Sequence, residues 1–104
     1  MTTYTPDTWV VLKFIDSDNN SLYKVLAGWY GGFTQGDSWK LSSVIEKIID
    51  KDTFYEIHNY SGSIYKCYKE IERMSGMTSS IYQTISNQMK VELVDISQIL
   101  DEFK

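Results

Sequence analysis

The stretch Thr8–Ile15 (TWVVLKFI), the turn 16–20 (DSDNN) and the stretch Ser21–Trp29 (SLYKVLAGW) decide the fold class. The first is rich in β-branched and aromatic residues and alternates, which reads as a strand. Asp and Asn in the turn hydrogen-bond their own backbone and tolerate positive φ, so they mark a reversal. The third stretch reads as the returning strand. Together they predict a hairpin.

Outward from this hairpin, residues 28–36 (GWYGGFTQG) hold four glycines in nine positions, a density that signals unusual backbone angles or close approach. Residues 39–49 (WKLSSVIEKII) carry two signals. Leu41, Val44, Ile45, Ile48 and Ile49 are spaced like one helix face, while period two also fits, and strand is the preferred reading. Residues 53–60 and 63–68 read as a second hairpin about Ser61–Gly62. Past Gly76, Ile81, Tyr82, Ile85 and Met89 form a helical stripe capped by Thr78 or Ser79. Val91–Val94 reads as a short edge strand. Asp95 with Gln98 resembles a capping box, opening a second helix with Ile96, Ile99, Leu100 and Phe103 on one face. The expectation is α+β: an antiparallel meander sheet of about five strands with one or two C-terminal helices packed on it. The whole chain 1–104 is read as one domain, with sheet over about 8–69 and helix over about 77–103.

With 104 residues and 42% hydrophobic content the chain is long and apolar enough for its own core. Eight Tyr, four Phe and three Trp are more aromatic area than such a core needs, which points some of it at a partner or ligand. The net charge of −4 lacks a basic footprint, so nucleic acid is not expected as a partner. Cys67 is the single cysteine, which excludes an internal disulfide and a thiolate metal cluster and suits a reducing, cytoplasmic setting. The first residues read as no signal peptide, and no apolar run reaches a membrane span, so no membrane is expected either.

Little in the sequence is arranged for catalysis. His58 and Cys67 flank the Ser61–Gly62 turn and could face one another across a hairpin, the weakest of three functional readings. No metal or other cofactor is expected, since one His without a Cys cluster makes a poor metal site. The glycine segment lacks the spacing of a phosphate-binding loop. The best binding candidates are Trp29, Tyr30, Gly31, Gly32, Phe33, Asp37, Ser38, Trp39 and Lys40, where rigid aromatic anchors stand beside adaptable polar groups. Tyr60, Ser61 and Tyr65 form a second candidate group.

Gly36, Asp37, Ser38, Trp39, Lys40, Leu41 and Ser43 match a G-D-S-W-[RK]-L-x-S motif. Ser61, Gly62, Ser63, Tyr65, Lys66 and Cys67 match a Y-S-G-S-[IV]-Y-[RK]-C motif. In these the chain resembles small uncharacterised proteins of tailed bacteriophages over about residues 9–69, departing at 43–45 and in the C-terminal thirty-odd residues. The resemblance implies a viral accessory protein acting in the cytoplasm of a bacterial host. By analogy with other small phage proteins, it would be a non-enzymatic inhibitor of a host or anti-phage defence protein. The alternatives are a protein that sequesters a nucleotide-like signal, and a small enzyme using His58 and Cys67. A homo-oligomer through 91–94 or 96–103 stays open.

Overall fold

The computed structural model describes residues 2–31 and 36–103. It contains two four-stranded sheets and one α-helix. One sheet is ordered β4 (Ser38–Leu41), β3 (Ser21–Trp29), β2 (Thr8–Ile15), β8 (Val91–Val94) and is antiparallel throughout. The other is ordered β1 (Thr3–Tyr4), β7 (Ile64–Tyr68), β6 (Phe54–Asn59), β5 (Ile45–Asp50), with β1 parallel to β7. The α+β class and both expected hairpins are present, as is the edge strand at Val91–Val94. The single five-stranded meander is not.

The layering explains the run TWVVLKFI. Trp9 and Val11, with Tyr23, Val25 and Ala27 of β3, face the second sheet and meet Ile45, Tyr55, Ile57, Tyr65 and Cys67 there. Val10, Leu12, Phe14 and Leu26 face the other way, onto Ile81, Tyr82 and Ile85 of helix α1 (Gly76–Ser86). A strand covered on both faces is apolar on both, so β2 is nearly continuous in hydrophobicity.

The segment 39–49 is two strands, not one. Ser42 makes the corner: its N–H donates to Val25 O (2.9 Å), and its Oγ accepts from Val25 N–H (2.8 Å). A side-chain hydroxyl thus takes the place of the next ladder carbonyl, and the chain leaves β3 for the second sheet. A register shift between Ile45 and Lys47 follows. Corner and bulge each displace the two-residue phase, which is why Leu41, Ile45 and Ile48 are spaced like a helix face without forming one.

The helix starts one turn earlier than its stripe suggests. Ser75 is the N-cap, its Oγ accepting from Thr78 N–H (3.1 Å) while Thr78 Oγ1 accepts from Ser75 N–H (2.8 Å). Met89 falls beyond the last turn. The expected second helix is instead two 3₁₀ turns, Ile96–Gln98 and Leu100–Phe103, and Asp95 caps through Ser97 N–H (2.9 Å) rather than through Gln98. Ile96 and Ile99, three apart, both enter the inter-sheet core, a spacing the three-residue 3₁₀ repeat satisfies. The apolar face of 96–103 therefore closes the chain's own core.

Glu72 ties this tail down, its Oε2 accepting from Ile96 N–H (2.9 Å). Burial raises the Glu72 pKa, the Ile96 N–H opposes this, and nearby Asp95 adds to it. A carboxyl whose pKa is higher folded than unfolded supports folding fully below its unfolded value, about 4.3, and loses that support as pH rises through its folded value. Ionised Glu72 is therefore a burden at neutral pH. Glu72→Gln, which keeps an acceptor for Ile96, is expected to be the more stable protein at pH 7, by on the order of a few tenths of a kcal/mol because half-burial leaves water to screen the charge. The gain should shrink toward zero as urea midpoints are measured down to about pH 4. A gain that grows on acidification would contradict this account.

Candidate functional site

The glycine–aromatic candidates lie at the mouth of the β3–β4 hairpin, on a braced backbone. Asp7 is central. Its N–H donates to Gly28 O (2.9 Å), and its Oδ2 accepts from Tyr30 N–H (2.8 Å). Trp29 Nε1 donates to Thr5 O (3.1 Å), and Asp37 Oδ1 accepts from Gly31 N–H (3.4 Å). Gly31 and Gly36 close the neck: a Cβ on Gly31 would collide with the Gly36 carbonyl, and Gly36 has φ +67°. Glycine is required at Gly31 for space and favoured at Gly36 for φ. Gly32 and Phe33 lie outside the described residues.

Strand alternation divides the aromatics that the sequence groups together. Trp39 pairs with Gly28 and belongs to the row of Leu26 and Leu41, on the α1 face. Lys40 pairs with Ala27, on the inter-sheet face. Trp39 keeps 44% of its surface exposed and Tyr30 54%; Asp37 and Ser38 are exposed beside them. Trp29 turns toward the second sheet, meeting Tyr4 edge-on at 6.2 Å between ring centroids. Tyr4 in turn lies 5.0 Å from Tyr65, with Lys40 Nζ 5.2 Å above its own ring. Trp29, Tyr30 and Trp39 therefore do not form one surface. Tyr30 and Trp39 are the exposed pair, and Trp29 is a partly buried strut.

Tyr65 is a correction to the second candidate group. It is 1% exposed, because odd positions of β7 point inward, and burial pushes its hydroxyl up to about 12. Tyr60 is largely exposed at the turn. Ser61 belongs to a hydroxyl cluster in which Ser43 Oγ donates to Ser61 Oγ (3.0 Å) and accepts from Ser61 N–H (3.0 Å). Ser61 Oγ lies 3.2 Å from Ser63 Oγ. A shallow depression of about 510 Å³ opens between this turn and Thr2 and Tyr4. Tyr4 thus links the two candidate regions. Its only sequence signal is an aromatic residue in a polar lead, and its contact partners come from a parallel β1–β7 pairing that nothing local announces.

His58 and Cys67 are not brought together. His58 pairs with Ile64 and Cys67 with Tyr55, on opposite faces of the β6–β7 hairpin. His58 Nε2 lies 2.7 Å from Glu56 Oε1. Cys67 is fully buried, and burial pushes its thiol well above the usual range, the reverse of what a nucleophile needs. Two amides of this segment are met by carboxylates, Tyr30 by Asp7 and Gly31 by Asp37. Those charges repel a phosphate rather than cradle it. Among the described residues no group of His, Cys, Asp and Glu could hold a metal ion, and no helix is long and apolar enough to cross a membrane. No protein-family model, curated protein or solved structure matches this chain.

Proposed function

We propose that this chain is a non-enzymatic binding protein whose exposed aromatics at the β3–β4 mouth capture another protein. One observation carries the reading: Asp7 pins the backbone under Tyr30 while the rings of Tyr30 and Trp39 stay about half exposed. Large aromatic side chains on a braced backbone lose little conformational entropy on binding, which is the profile of interface anchors. The phage-like motifs at 36–43 and 61–67 support a bacterial host or anti-phage defence protein as the partner, met in the host cytoplasm. Asp37 and Ser38 would supply polar contacts at the rim.

The test is capture from bacterial lysate by the immobilised chain, followed by titration with the purified partner. Tyr30→Ala combined with Trp39→Ala is expected to weaken binding by at least about a hundredfold, two anchors at about 2 kcal/mol each being more than enough. The thermal midpoint should fall only slightly, since both rings are half in water. A folded double variant that still binds its partner as tightly would end this reading.

A further inference from the structure

We propose that β8 is a self-association edge, through which two copies of this chain pair antiparallel about a two-fold axis. β8 is the outer strand of its sheet and is bonded on one side only, to β2. Ile15 N–H donates to Lys90 O (3.1 Å), so in an alternating ladder Lys90, Glu92 and Val94 turn their backbone groups to β2. Val91 and Leu93 turn theirs outward. This edge carries neither proline nor bulge, two of the devices that block edge pairing. Leu93 is 47% exposed and Met89, just before the strand, 57%.

The two ends of the edge are chemically complementary. Its N-terminal end carries Lys90, which has no ion-pair partner among the described residues, and the apolar Met89. Its C-terminal end carries the carboxylates of Asp95 and Glu72 around a depression of about 330 Å³ floored by Val10, Met74 and Leu93. Arg73, also at this rim, reaches back toward Glu70 O (3.4 Å). A two-fold axis normal to the sheet places each strand's N-terminal end against the other's C-terminal end. Centred on Leu93, it sets Leu93 against Leu93 of the second copy and Val91 against Asp95 of the second copy. Met89 of the second copy then runs past Asp95 toward the depression on the α1 face, while Lys90, on the face of Glu92 and Val94, runs toward Glu72. Such a contact is made twice and closes on itself, giving a dimer and not a fibre. The paired edge is short, so association belongs to the weak, concentration-dependent class. β4 lies at the far side of the same sheet, and the dimer would present the β3–β4 mouth twice.

Sedimentation velocity on the full chain, from low micromolar to millimolar concentration, is expected to show a monomer–dimer equilibrium. Hydrogen exchange across the same range should show the Val91 and Leu93 amides becoming protected with concentration, while those of Glu92 and Val94 are protected throughout. Lys90→Glu should weaken the dimer by about tenfold or more. Lys47→Glu, which changes net charge equally but lies on the other sheet, should leave it unchanged. A monomer at every concentration would overturn the proposal. So would a dimer whose Val91 and Leu93 amides exchange as fast as in the monomer, or one that Lys90→Glu leaves intact.

Discussion

Trp9→Ala is expected to remove about 3–5 kcal/mol of folding stability, the usual cost of truncating a buried Trp. Trp9 is 1% exposed in the layer between the sheets, meets Tyr55 edge-on at 6.2 Å, and donates Nε1–H to Tyr68 O (2.8 Å). Alanine leaves a void that two sheets tied at a corner cannot close by sliding together. It also strips the Tyr68 carbonyl of its donor, worth about 1 kcal/mol more. Domains of this size hold roughly 5–15 kcal/mol in total, so the loss is a large share of the whole. Urea unfolding followed by circular dichroism measures it. Trp9→Phe separates the two contributions, since it keeps most of the packing and loses the hydrogen bond, and should cost about 1–2 kcal/mol. A Trp9→Ala protein within about 1 kcal/mol of the parent would mean that the inter-sheet layer is not the main core.

Gly28→Ala is the second large effect, and it comes from adding one carbon. A Cβ at Gly28 would stand 2.9 Å from Thr78 Cγ2, 3.0 Å from Thr8 Oγ1 and 3.2 Å from Ser75 Oγ. Here the capping turn of α1 presses onto the middle of the sheet, with Thr8, Ser75 and Thr78 all buried. Ser75 and Thr78 are fixed by their capping hydrogen bonds and Thr8 is fully buried, so the helix start must lift, at about 1–3 kcal/mol. The capping box would loosen with it. Thr78→Ser removes the closest atom and keeps the capping hydroxyl, so Gly28→Ala with Thr78→Ser should recover a substantial part of the loss. A double-mutant cycle by thermal unfolding measures that coupling. Strictly additive single effects would show that the close approach is not the cause.

Much of this architecture is legible along the chain because its signals are local. Alternation and turn chemistry mark β2–β3 and β6–β7. At the first turn Asp16 Oδ1 accepts from Asp18 and Asn20 N–H (both 2.9 Å), as Asp and Asn in that place imply. The stripe Ile81, Tyr82, Ile85 finds α1, and the β-branched residues of VELV mark β8. The binding candidates are legible as residue types but not as a surface. Whether a side chain of β4 or β7 meets water depends on which face another layer covers, and that layer comes from elsewhere in the chain. Trp39 and Lys40 are neighbours in sequence and opposite in direction, and Tyr65 disappears inside while Tyr60 stays out.

By itself, then, the sequence determined the β2–β3 and β6–β7 hairpins, the β8 strand and the body of α1, since dihedral preference and side-chain period act over a few residues. Only the tertiary structure decided that the strands divide between two sheets, with a corner at Ser42 and a bulge after Ile45. It also decided that residues 96–103 coil as 3₁₀ turns into the core, and that His58 and Cys67 are held apart. Each of these follows from burying apolar faces against one another, a long-range requirement that no short window of residues contains.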